Sequence, residues 1–214
     1  MAIGPLVRRA FGRHERRVSE LYRAIFVDLD EWIATIRDWS PNPRRILELG
    51  CGEGYSTERL VAAFPDSIIE AIDIAPNIGR LYAGPPERVS FRIAYAEEIA
   101  AECPGAYDLI ILGDVIHHVP ASARQSLLEA VRQMLAPGGT FAFKDWERTA
   151  SPIYFAGYAA DRWLTGDRIA YLTRGEARDM LGTIFGQASL VAERSIRPWS
   201  NNYAICVRPE ACAA

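Results

Sequence analysis

Lysine is almost absent from this chain: of 24 basic residues, only Lys144 is one, and the rest are arginines. With 27 acidic residues the formal net charge is −3. No excess of positive charge is available to hold a polyanion, which argues against a general nucleic-acid binder. No run of 18 apolar residues occurs, so no membrane-spanning helix is expected. The four cysteines, Cys51, Cys103, Cys206 and Cys212, have no paired spacing. That argues against a zinc site or a disulfide scaffold, and reduced thiols in a cytoplasmic protein are expected, with no metal bound. Arg8, Arg9 and Arg13 interrupt the early apolar residues, so no secretory leader is expected. Internal repeats and low-complexity segments are also missing.

What is present is an ordinary globular composition. Half of the 214 residues are hydrophobic, enough for one sizeable domain with a full core. After the breaker Pro41-Asn42-Pro43, strand-like runs alternate with helical periods. Strands are expected at about 45–50, 68–73, 89–94, 108–113 and 139–145. Helices are expected over 54–64 and 121–136, with short ones opening at Pro76 and after the third strand. In the longest of them Leu127, Leu128, Val131 and Leu135 share one face. Such alternation predicts a doubly wound, parallel α/β sheet with right-handed crossovers. Residues 147–172 break the pattern. Thr173-x-x-Glu176 is a capping box that opens another helix, ended by Gly186. Two more strands follow, at about 188–196 and 202–208.

Upstream, residues 5–36 carry Leu6, Val7, Phe11, Val18, Leu21, Tyr22, Ile25 and Phe26 at roughly helical spacing, and the first 23 residues hold six arginines. This stretch reads as a helix covering the sheet. A basic amphipathic start also suits a peripheral contact with an anionic membrane or lipid surface.

The densest signal lies at residues 46–54, Ile-Leu-Glu-Leu-Gly-Cys-Gly-Glu-Gly, followed by Asp73 at the end of Ile68-Ile69-Glu70-Ala71-Ile72-Asp73. Alternate glycines after a buried strand make a tight turn into a helix and let a ligand approach the backbone. An acid about 20 residues further on suits the two hydroxyls of a ribose. A dinucleotide fingerprint would need glycine at position 55, where Tyr55 stands.

Glu48-x-Gly50-x-Gly52-x-Gly54 instead resembles the first motif of the class I S-adenosylmethionine-dependent methyltransferases. Asp73, Tyr107-Asp108-Leu109-Ile110-Ile111 and Leu135-Ala136-Pro137-Gly138-Gly139 extend the resemblance over residues 45–147. It implies a seven-stranded, mostly parallel sheet closed by a C-terminal antiparallel hairpin. It also implies one domain in four parts: a helical cap at 1–40, a cofactor-binding core at 45–147, an aromatic substrate cap at 148–172, and a C-terminal helix and hairpin at 173–214. By the same resemblance S-adenosylmethionine contacts Glu48, Gly50, Cys51, Gly52, Gly54, Tyr55 and Asp73. Its adenine meets Ile74, Tyr95 and Ala96, and its methionine end meets Leu112 and Gly113. Tyr95 departs from the acidic residue common at that place.

Methyl transfer from a sulfonium needs a base only when the nucleophile arrives protonated. Two of the chain's three histidines, His117 and His118, follow the fourth strand in Asp114-Val115-Ile116-His117-His118. If that turn is helical, Asp114 and His118 share a face. Phosphoethanolamine methyltransferases show a similar Asp-x-x-x-His, which makes His118 the first candidate base and His117 the second, with Asp114 either orienting the imidazole or holding the cofactor amine. Substrate contacts are expected from Lys144, from Tyr154, Tyr158 and Trp163 in the aromatic stretch, and from Tyr22. Lys144 and Asp145 at the end of strand five either meet substrate or pair with each other. An Asn-Pro-Pro-Tyr signature of amino methylation is missing, so a hydroxyl of a small metabolite, lipid or sugar is the expected acceptor, with N- or C-methylation open. A non-catalytic cofactor-binding regulator or subunit and a nicotinamide oxidoreductase stand as the rival readings.

Overall fold

The computed structural model describes residues 24–160, 162 and 169–210. Seven strands form one sheet: β1 (Arg45–Leu49), β2 (Ile68–Asp73), β3 (Val89–Ile93), β4 (Tyr107–Gly113), β5 (Leu135–Trp146), β6 (Leu190–Ser195) and β7 (Asn202–Val207). Their order is β3-β2-β1-β4-β5-β7-β6. The first five strands run parallel, and β7 lies antiparallel between β5 and β6. The doubly wound sheet with a terminal antiparallel pair is therefore the fold adopted. In a sheet covered on both faces, strands read as continuous apolar runs. Accordingly β4 is buried along nearly its whole length, and β7 throughout.

One face is covered by helices α1 (Leu29–Trp39) and α2 (Tyr55–Ala63), whose Trp32, Ile33, Ile36, Leu60 and Val61 pack on Ile46, Ile69, Leu109 and Ala142. The other face carries α3 (Ala96–Glu102), α4 (Ala121–Met134) and α6 (Arg174–Phe185). There Ile99, Leu128, Val131, Leu181 and Phe185 enclose Leu47, Ile110, Phe141 and Ile205. Helix α5 (Pro152–Ala160) lies in the expected aromatic stretch. The Thr173 hydroxyl accepts from the Glu176 amide while the Glu176 carboxylate accepts from the Thr173 amide, so the capping box opens α6 as read.

Several expectations need correction. No helix opens at Pro76: residues 76–81 are turns. The amides that a helix would have used there are taken elsewhere, since Gly79 donates to the Gly52 carbonyl and Leu81 to that of Glu53. The expected helix 5–36 lies mostly outside the described residues. Its described end breaks after Phe26, because the Asp28 carboxylate accepts from the Glu31 amide and starts α1 afresh, running on to Trp39. Helix α4 stops at Met134, and β5 begins at once with Leu135, paired to Tyr107.

Candidate functional site

The glycine loop leaves β1 with Gly50, Gly52 and Gly54 all in the left-handed region, at φ of +73°, +52° and +92°. It is held from three sides. The Gly50 and Cys51 amides donate to the Ile72 carbonyl at 2.8 and 3.1 Å. Asp73 accepts the Gly52 amide on Oδ2 and the Ala75 amide on Oδ1, each at 2.8 Å. The Glu48 carboxylate, only 3% exposed, accepts from the hydroxyls of Ser56 and Thr57, which fastens the first turn of α2 to β1.

The three glycines differ in what surrounds them. A methyl at Gly50 would sit 2.2 Å from Val115 Cγ2, and one at Gly54 2.9 Å from Tyr82 Cβ, whereas one at Gly52 meets nothing within 4 Å. Gly52 thus opens onto free space beside Asp73, whose carboxylate oxygens each keep a further lone pair for a hydroxyl. A ribose-bearing cofactor fits that combination. The Cys51 thiol is pushed well above its usual range by burial and by the nearby Glu48 and Asp73 carboxylates, so it stays protonated and is no nucleophile.

A cavity of about 370 Å³ adjoins the loop. Glu48, Gly50, Cys51 and Gly52 line one part of it; Gly113, Asp114, His117, His118 and Lys144 line another. Asp114 takes φ of +57°, a left-handed value that ends β4 abruptly. Its carboxylate receives the Lys144 ammonium at 2.6 and 2.7 Å. His117 Nδ1 lies 2.5 Å from Asp145 Oδ1, with the ring 4% and the carboxyl 0% exposed. The expected partnerships are therefore exchanged. Asp114 pairs with Lys144, His117 meets the Asp145 carboxylate, and Lys144 and Asp145 do not pair, since neighbours on a strand point to opposite faces.

Around His117 the rings form a cluster of tilted and edge-on contacts. Its centroid lies 4.2 Å from that of His118 and 4.5 Å from that of Tyr171, and Tyr154 follows 5.7 Å beyond Tyr171. The Ala170 amide donates to the His117 carbonyl, and buried Arg124 donates to the carbonyls of Val119 and Ala170, tying this segment to the end of β4.

Other predicted residues lie further away. Asp73 bonds the loop from behind, and Ile74 and Tyr95 are largely exposed beside it at the ends of β2 and β3. The side chains of Ala96 and Leu112 belong to the core, and that of Tyr55 is buried, so only their backbones remain for a ligand. Tyr154 and Tyr158 neighbour each other on α5. Tyr22 and Trp163 lie outside the described residues. Sequence reasoning missed Trp32, Gly157 and Asn202 as cavity lining, and Asp145 as the partner of His117. Trp32 is spaced like any core residue of α1, and the other contacts need the strand order before they can be seen.

Comparison with known proteins bears directly on this geometry. Residues 19–182 match a family model described as a methyltransferase domain. The ubiquinone biosynthesis O-methyltransferase of Xanthomonas campestris is 28% identical over 183 residues, covering 79% of this chain and 75% of that protein. Its Bordetella pertussis counterpart is 32% identical over 122 residues, covering 55% and 49%. Among solved structures, the 1,6-didemethyltoxoflavin N1-methyltransferase of Burkholderia thailandensis, with S-adenosylhomocysteine bound, superposes with a TM-score of 0.67 at 17% identity. The match covers 96% of this chain and 88% of that one. Human N-acetylserotonin methyltransferase gives 0.64 at 17%, covering 85% and 51%. The matched family model spans most of the fold, and the chain belongs to the class I S-adenosylmethionine-dependent methyltransferases.

Proposed function

We propose that this enzyme methylates a hydroxyl of a small molecule held in the cavity, with His117 as the base. When bound, S-adenosylmethionine supplies a methyl group on a positively charged sulfur, already activated for in-line displacement. The chain's contribution is then positioning, exclusion of water and removal of one proton. Aromatic walls from Phe26, Trp32, Trp146 and Tyr171 exclude water. Asp145 on Nδ1 favours the tautomer with its proton there, so the lone pair sits on Nε2, which takes the hydroxyl proton. As the imidazolium forms, the buried Asp145 carboxylate stabilises it.

The observation that carries this reading is the buried His117–Asp145 pair on the wall of a cavity shared with the glycine loop. The names of the O-methyltransferases similar to this chain support the choice of a hydroxyl. A second reading, with His118 as the base, is favoured by that residue's greater exposure in the same cavity. Incubation of the full chain with labelled cofactor and a panel of phenols, alcohols, amines and carboxylic acids, read by mass spectrometry, tests the proposal. Methylated oxygen on a phenol or alcohol is expected. Label confined to amines or carboxylates overturns it, and no turnover with any acceptor favours a non-catalytic role.

A further inference from the structure

Four buried polar side-chain atoms in the β5–β7 pair have no hydrogen-bond partner among the described residues: Asp145 Oδ2, Trp146 Nε1, Asn202 Oδ1 and Tyr203 Oη. Buried polar groups are nearly always paired, so each orphan calls for an explanation. The strand register sorts them. Trp146 stands opposite Asn202, and Asp145 opposite Tyr203, on alternate faces of the sheet. Trp146 and Asn202 both line the cavity, whereas Tyr203 does not. One of these two is a donor and the other an acceptor. They are 5% and 0% exposed, and directly opposed positions hold their Cβ atoms about 5 Å apart.

Both groups are fixed in orientation. The Asn202 Nδ2 amide donates to the Phe26 carbonyl, which settles which end of the side chain carries oxygen. The Phe26 ring meets the Trp146 indole edge-on, with centroids 5.8 Å apart. Gly157 of α5 lies beside the indole: a Cβ there would sit 3.6 Å from Trp146 Nε1 and Cε2. A larger side chain at 157 would therefore occupy the space in front of the indole nitrogen.

We propose that Trp146 and Asn202 form a recognition edge for the methyl acceptor, reading a planar molecule that carries a carbonyl beside an N–H or O–H, as a lactam does. The indole N–H donates to the carbonyl, and Asn202 Oδ1 accepts from the neighbouring N–H or O–H. The inference rests on the cavity being the acceptor site and is independent of which histidine takes the proton. A site built to bond such an edge rejects an analogue lacking it, because its own buried groups are then left unpaired.

Three planar probes test it: 2-quinolone, its N-methyl derivative and naphthalene. Their affinities for the full chain saturated with S-adenosylhomocysteine are measured by saturation-transfer NMR. Wild type is expected to bind 2-quinolone at least about fivefold more tightly than the N-methyl form, one hydrogen bond's worth, and naphthalene least. Trp146→Phe should weaken both quinolones and spare naphthalene. Asn202→Ser should erase the preference between the two quinolones. Gly157→Val should block all three while leaving S-adenosylhomocysteine affinity intact, which shows that the variant is folded. Equal binding of the three probes, binding of none, or quinolone affinities left unchanged relative to naphthalene in Trp146→Phe overturns the proposal. The turnover panel with His117 variants is read separately, so failure here leaves the proposed reaction standing, and the reverse holds too.

Discussion

Lys144 and Asp114 form a lopsided ion pair. The ammonium is 1% exposed, its carboxylate partner is 40% exposed, and two contacts of 2.6 and 2.7 Å join them. Asp114→Asn leaves the lysine charge buried without its partner, while Lys144→Met leaves a carboxylate that water already reaches. Breaking a buried pair from the side that strands the charge costs about 3–5 kcal/mol, whereas an apolar replacement of similar volume is near neutral. Asparagine also tolerates the left-handed backbone at 114, so its effect reports charge and not strain. Urea denaturation should show Asp114→Asn as the more damaging change, with discounting toward the lower end for the partly exposed pair. Equal losses would contradict this asymmetry.

Removing the carboxylate behind His117 should affect chemistry more than binding. Asp145→Asn and His117→Ala are each expected to lower kcat by about 10²–10⁴-fold on a hydroxyl acceptor, with cofactor affinity little changed. His118→Ala should cost less. The pH dependence of kcat separates the cases: the limb that reports the base should disappear in His117→Ala and persist in His118→Ala. If it disappears in His118→Ala instead, the second reading of the site is correct.

Asp73→Ala should lower the affinity for S-adenosylhomocysteine at least about tenfold by calorimetry. Charge-assisted bonds contribute roughly 1.5–3 kcal/mol each. The same carboxylate holds the Gly52 and Ala75 amides, so the loop loses its tether along with the ribose contacts expected of Asp73. Unchanged affinity would remove Asp73 from the cofactor site.

Two glycine substitutions a single residue apart should fail in different ways. Gly52→Val meets open space and is expected to give a folded protein that no longer binds the cofactor, at a backbone cost of about 1–3 kcal/mol for the left-handed position. Gly50→Ala drives a methyl to 2.2 Å from Val115 and should destabilise the fold itself, by about 1–3 kcal/mol for the overpacking alone. Thermal melts with and without S-adenosylhomocysteine distinguish the two. A ligand-induced rise in Tm for Gly52→Val would show that the loop is not the binding surface.

What the sequence made readable was local. Gly50, Gly52 and Gly54 need left-handed backbone in a short strand-to-helix turn, and Asp73 ends the very next strand, so their relation survives without knowledge of the tertiary fold. The apolar runs likewise located the strands to within a few residues. His117 and Asp145 are 28 positions apart and meet only because β4 and β5 are neighbours with a defined register. Asp114 and His118 would share a face only in a helical turn, and the left-handed Asp114 backbone turns its carboxylate toward β5 instead. Pro76 suggested a helix start, but the amides at 79 and 81 found partners in the glycine loop, which no one-dimensional pattern reveals.

Reversal of β7 has an architectural consequence. The parallel strands β1, β4 and β5 offer the cavity their last residues, whereas β7 offers its first, Asn202, reached from the connection that follows β6. One wall therefore hangs from a surface loop, while the opposite wall is locked between β1, β2 and α2. With Asn202 facing the acceptor as proposed, exchanges in residues 196–201 are expected to alter acceptor choice while leaving the cofactor half in place. Diversification of substrate range within such a scaffold has an inexpensive route through the hairpin.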